Sequence, residues 1–92
     1  MNVRWSPTAL RDIESVQAYI WRDNPTAAAA TVGKILRGIE ALVHQPAMGR
    51  KGRVGGTREL IIAPYVVAYR ETKNVIELLA IIHSARRWPA SF

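Results

Sequence analysis

The sequence predicts an α+β fold of order β-α-α-β-β-β, with an N-terminal helical hairpin packed on a small, mostly antiparallel sheet. Three observations predict it. Two helix starts share one grammar, Ser6-Pro7 and Asn24-Pro25. A loop rich in glycine and cations follows Pro46, and three strand-like apolar runs close the chain.

Each element has its own reason. NVRW (2–5) is a short strand candidate that ends at a helix start. The Ser6 hydroxyl caps the helix, and Pro7 suits its first position because the N–H it lacks would have no intrahelical acceptor. Leu10, Ile13, Val16 or Gln17, and Ile20 recur at helical spacing with Trp21 beside them, which predicts a helix over 7–22. Asn24 and Pro25 open the second helix. Its apolar stripe runs Ala28, Val32, Ile35, Leu36, Ile39, Leu42 and Val43, and Pro46 stops it. So short a connection predicts an antiparallel hairpin.

PAMGRKGRVGG (46–56) holds four glycines and three cations without periodicity, and reads as a loop. TRELIIA (57–63) is a strand, Pro64 a turn or bulge, and YVVAYRE (65–71) a second strand. Thr72 to Asn74 make a hairpin turn before the last strand, VIELLAIIH (75–83). Strict alternation puts Leu79 and Ile81 on one face, and Ile76, Leu78, Ala80 and Ile82 on the other. Apolar residues on both faces predict an interior strand.

Ninety-two residues predict one domain, 1–92, and 49% apolar with 22% charged residues is ordinary for a folded globular chain. The absence of cysteine excludes disulfides and zinc-thiolate sites. No apolar run reaches the ~18 residues of a membrane span, and MNVRWSPTAL has no signal-peptide core, so the expected location is cytoplasmic with no membrane partner. The net charge of +6 is uneven. Residues 1–45 hold five cations and four acids, and residues 46–92 hold eight and three. A basic second half suits nucleic acid or an acidic protein through long-range steering, and a plain solubility charge fits the same count.

The glycine-rich loop carries neither GxxxxGK[ST] nor GxGxxG, which argues against nucleotide binding. Its Arg50, Lys51 and Arg53 can contact phosphates or acidic side chains, or the loop is a connector. His44 and His83 have no carboxylate cluster near them in sequence, so no metal or cofactor is expected, and His44 suits a helix C-terminus. A nucleophile elbow and a carboxylate pair are both missing. What remains is a basic set: Arg58 opening one strand, Arg70 ending the next, and His83, Arg86 and Arg87 closing the third. Such a set can cleave RNA without metal, with His83 as base or acid and arginines holding the phosphate. The same arginines can instead pair with Glu59, Glu71 and Glu77.

Taken in order, SPTALRDIESVQAYI (6–20), NPTAAAATVGKILRGIEALVHQPAMGR (24–50), GTRELII (56–62), YVVAYR (65–70) and IIHSARRWP (81–89) resemble the RelE/ParE superfamily of bacterial type II toxins. The likeness is closest to the ParE branch, also called plasmid stabilisation proteins. It implies a toxin that arrests growth by poisoning DNA gyrase and forms a hetero-oligomer with a cognate antitoxin, whose C-terminal segment folds onto it as helix or strand, in a groove supplied by exposed apolar residues near the helical hairpin or the sheet edge. The RelE branch implies instead a ribosome-dependent endoribonuclease that cleaves mRNA, with Arg58 as the phosphate-binding arginine and His83 at or near another active-site position, as is Arg70. A degenerate member that only binds antitoxin is the third alternative. Two features depart from the RNase pattern: only Lys51 stands where a lysine-rich segment is usual, and no tyrosine follows Tyr69. The expected target or antitoxin surface comprises Arg50, Lys51, Arg53, Arg58, Arg70, His83, Arg86, Arg87 and Trp88.

Overall fold

The computed structural model describes all residues, Met1–Phe92. β1 (Asn2–Trp5) leads into α1 (Pro7–Trp21) and α2 (Pro25–His44), followed by a 3-10 turn at Pro46–Met48. The strands β2 (Arg50–Lys51), β3 (Arg58–Ile62), β4 (Tyr65–Thr72) and β5 (Val75–His83) complete the chain. The sheet order is β1-β5-β4-β3-β2, with β1 parallel to β5 and every other pair antiparallel. This is the predicted α+β arrangement. The 46–56 segment is more ordered than its composition suggests, because it supplies both the 3-10 turn and the edge strand β2.

Both helix starts form as their residues dictate. The Ser6 hydroxyl accepts the Ala9 N–H at 3.0 Å, and the Asn24 side chain accepts the Ala27 N–H at 3.0 Å. The helices cover one face of the sheet. Ile13 and Val16 of α1 and Ile35, Ile39 and Leu42 of α2 pack there with Tyr65, Val67, Tyr69, Ile76, Leu78 and Ile81. The stripes are narrower than predicted. Leu10 is 50% exposed, Trp21 55% and Leu36 43%, while the small residues Ala9 and Ala28 are fully buried.

Strict alternation fails in β5. Tyr69 stands opposite Leu78 and Ala68 opposite Ala80, so Leu79 is an extra residue, a β-bulge. Beyond it the parity reverses, and Ile81 joins Ile76 and Leu78 in the helix-side core. The outer face carries Val66, Ala68, Ala80 and Ile82, all buried although no helix lies over them. The turn between β4 and β5 is tighter than Thr72–Asn74. Thr72 pairs with Val75, and Lys73 and Asn74 both have positive φ, the geometry that matches a two-residue turn to strand twist.

Leu78 and Leu10 separate burial from hydrophobicity. Leu78→Ala is expected to lower unfolding free energy by about 2–5 kcal/mol, a large-to-small change in a packed core. Leu10→Ala is expected to cost less than about 0.5 kcal/mol. Urea midpoints of the two variants check the contrast.

Candidate target and partner surface

The site candidates fall on two faces and two ends of the sheet. Arg58 pairs in register with Tyr69, and His83 with Tyr65, four residues apart on β4. At about 3.3 Å per residue, Arg58 and His83 are separated by roughly 13 Å along the sheet, both on the helix side. Arg70 neighbours Tyr69 in sequence and so points to the outer face. The structure therefore does not gather Arg58, Arg70 and His83 around one point.

Arg58 has a structural occupation. Its guanidinium donates to the carbonyl of Gly49 at 2.8 Å and, longer, to that of Ala47 at 3.5 Å. Tyr69 holds the same turn. Its hydroxyl donates to the Pro46 carbonyl at 2.6 Å and accepts the Gly49 N–H at 2.9 Å. Gly49 is required by this approach, since a Cβ there would stand 2.6 Å from the Tyr69 oxygen. Burial pushes the Tyr69 hydroxyl above its ordinary pKa, against the pull of the Gly49 amide and the Arg58 charge, so it stays a donor.

On the outer face, Glu59 is 1% exposed, a position a carboxylate tolerates only when donors surround it. Arg50 supplies Nε at 3.2 Å and an NH2 group at 2.9 Å to one oxygen, and the Arg53 backbone N–H binds the other at 2.8 Å. Burial raises the Glu59 pKa, but the Arg53 amide, the Arg50 bonds and both positive charges outweigh it and hold the group below 4.5. Arg70 binds Glu77 through Nε at 3.0 Å and NH2 at 2.7 Å. Arg4 of β1 stands across from Glu77 on its other side. Of the pairings expected for Arg58, Arg70, Arg86 and Arg87, only Arg70–Glu77 forms; Glu59 takes up Arg50 and Arg53 instead, and Glu71, Lys51, Arg58, Arg86 and Arg87 have no opposite charge within ion-pair distance.

The tail after β5 returns to this face. Trp88 lies under the Arg53 guanidinium, 3.9 Å from ring centroid to carbon, with Phe92 edge-on to it. The buried Trp88 indole N–H has no hydrogen-bond partner. The guanidinium over the ring face is a cation–π contact worth about 0.5–2 kcal/mol. Arg86 and Arg87 remain exposed.

At the opposite end of the sheet from Arg58, a cleft of about 410 Å³ opens between α1 and the end of β5. Val16, Tyr19, Tyr65 and Ile81 wall it, and Asp12, Ser15, His83 and Arg86 supply its polar groups. The His83 ring meets Tyr65 edge-on, and its Nδ1 accepts the Ala85 N–H at 3.1 Å, which leaves Nε2 as the nitrogen that carries the proton in the neutral ring. Sequence reasoning found His83 and Arg86 but missed Asp12, Tyr19 and Tyr65, because helix α1 and strands β4 and β5 bring them together only in the fold. No group of His, Asp and Glu in the structure is arranged to hold a metal, and no helix is long and apolar enough to cross a membrane.

The architecture is shared with a solved chain of the chromosomal ParDE TA system from P. aeruginosa. The TM-score is 0.80 over 90% of this chain and 95% of that one, at 24% identity. That is the fold class of the RelE/ParE toxins. A family model described as the ParE toxin of type II toxin-antitoxin systems, parDE, matches residues 3–88, and the chain belongs to that family. It is also 43% identical over 90 residues to Y4kP of Sinorhizobium fredii (strain NBRC 101917 / NGR234), described as a candidate toxin; the match covers 96% of this chain and 93% of Y4kP.

Two variants test the buried polar anchors. Tyr69→Phe leaves the Gly49 N–H and Pro46 carbonyl unpaired and is expected to cost about 1–3 kcal/mol in chemical denaturation. Glu59 has a lowered folded pKa, so its contribution is complete above 4.5 and is lost as pH falls through the lower folded value. Glu59→Gln is therefore expected to be less stable at neutral pH, with a flatter loss of stability on acidification than the native chain. Thermal midpoints from neutrality to about pH 3 measure both slopes.

Proposed function

We propose that this chain, acting as one domain over residues 1–92, arrests growth as the toxin of a type II module by binding and poisoning DNA gyrase. A cognate antitoxin holds it silent. The observation that carries this reading is the ParE family match over residues 3–88. The site geometry supports a binding role over an enzymatic one. The two residues required for RNA cleavage, Arg58 and His83, lie at opposite ends of the sheet, and Arg58 is engaged with the carbonyls of the 46–49 turn. A single phosphate needs its base and its cation within hydrogen-bond reach.

The surface that meets the target is the outer face and its margins: Arg50, Arg53, Arg70, Arg87 and Trp88, with Lys51 on the edge strand. Arg50, Arg53 and Arg70 are each held by a glutamate, which fixes their positions while leaving part of each guanidinium at the surface.

Purified protein in a gyrase supercoiling assay is expected to leave persistent linear DNA, and induction in a host to arrest growth unless the neighbouring antitoxin gene is expressed. Cuts at codon boundaries in ribosome-bound message, read by primer extension, would assign the chain to the endoribonuclease branch and defeat this reading. Induction without growth arrest would show a member that only binds antitoxin.

A further inference from the structure

Beyond β5 the chain is tied down at few points. The Ser84 N–H donates to the Pro64 carbonyl at 2.8 Å and the Arg86 N–H to the His83 carbonyl at 2.9 Å, but from Arg87 to Phe92 there is no backbone hydrogen bond. Every residue from Ser84 to Phe92 is exposed except Trp88, which is half-buried. Trp88 is therefore the anchor of the segment Arg87–Phe92, with the Phe92 ring edge-on to it at 6.4 Å.

That anchor is held by one other side chain. The Arg53 guanidinium lies over the indole, and its Nε stands 3.4 Å from the Glu59 carboxylate. The Arg53 backbone N–H donates to the same carboxylate oxygen at 2.8 Å. Glu59 pairs across the sheet with Ala68, so this contact sets Trp88 beside the outer face. Val66 and Ala68 of that face are 2% and 0% exposed and stand apart from the helix-side core. An apolar strip that no helix covers needs cover from elsewhere, and the Arg53 turn and the tail are what the fold brings there. The attachment is weaker than the sheet beneath it. A cation stacked on an indole favours the closed ring by a factor of about two to thirty, whereas central strands open only with the whole domain.

We propose that residues 84–92 form a strap over the outer face, hinged at Ser84–Arg86 and latched where Trp88 lies under Arg53. The strap opens as a unit while the five-stranded sheet stays folded. Closed, it shields the strip that contains Val66 and Ala68. Open, it leaves that strip and the indole bare. Such a strap operates whatever the target of the toxin is, because its occupant is the chain's own tail.

The test is hydrogen exchange on the full chain labelled with nitrogen-15, the Trp88 indole signal being identified by its loss in Trp88→Phe. The Trp88 indole N–H is buried and bonded to nothing in the chain, so its exchange reads the opening of the strap. Corrected for intrinsic rates, it is expected to exchange at least about a hundredfold faster than the backbone N–H of Val67, which is 0% exposed in the middle of β4. Arg53→Ala is expected to speed the indole about two- to thirtyfold. Lys51→Ala removes the same charge from an exposed side chain without an ionic partner, and is expected to change it less than about twofold. Indole exchange at the Val67 rate overturns the proposal, because tail and sheet then open together. Equal effects of the two substitutions overturn the latch. Trp88→Ala is expected to keep the far-ultraviolet circular dichroism of the native chain and to raise the fluorescence of bound anilinonaphthalene sulfonate at least roughly fivefold. A Trp88→Ala chain that does not fold shows the tail to be part of the core, and one that folds without binding more dye shows no apolar strip beneath it. Either result defeats the proposal.

Discussion

The Glu59 carboxylate is the constraint around which the outer face is arranged. A buried charge must be met by donors, and here the donors come from one short segment of chain: the Arg50 guanidinium and the Arg53 backbone. Meeting that demand pins β2 against β3 and fixes the turn that follows. Arg53, once placed, becomes the lid over Trp88, so the position of the C-terminal tail descends from a carboxylate in another strand. Replacing donors singly would leave a charge in a dry place, which explains why so basic a segment is not simply a solvated loop.

The turn on the opposite side of β3 is governed by the same kind of demand with a neutral group. Tyr69 reaches through the core to bind both ends of the 46–49 turn, and Arg58 binds the turn from outside. Basic residues in this chain therefore divide by occupation. Some close the architecture, Arg58 and Arg50 above all, and others, such as Lys51 and Arg87, are left to face a partner. In a ParE-family toxin that division matters, because charge alone does not reveal which cations are free to act.

The elements were legible in the sequence because their signals are local. Ser6-Pro7 and Asn24-Pro25 announce helices through caps that need only three residues, and the closing strands announce themselves by apolar runs between turn residues. The edge strand at Arg50–Lys51 was not legible, since two residues carry no period and their pairing depends on Glu59 nine positions away. The faces of β5 were misread beyond Leu79 because a bulge has no signature in a run that is apolar on both sides. Of the candidate site, His83 and Arg86 were found by residue type. Their cleft was not, because Asp12, sixty-nine positions from Ile81, looks like any acid on a helix surface until the strand edge it covers is known.

The bulge at Leu79 also sets what the end of the strand displays. One inserted residue turns the remaining segment through half a period, so Ile81 and His83 lie on the helix side and Ile82 on the outer face. Had the strand run without it, the imidazole would have faced the outer side and the isoleucine would have turned toward the cleft. The two surfaces of this small toxin are in that sense coupled by counting: a single-residue deletion between Leu79 and Ile82 exchanges their contents while leaving the composition almost unchanged. A chain one residue shorter here would therefore present a different chemistry at both faces.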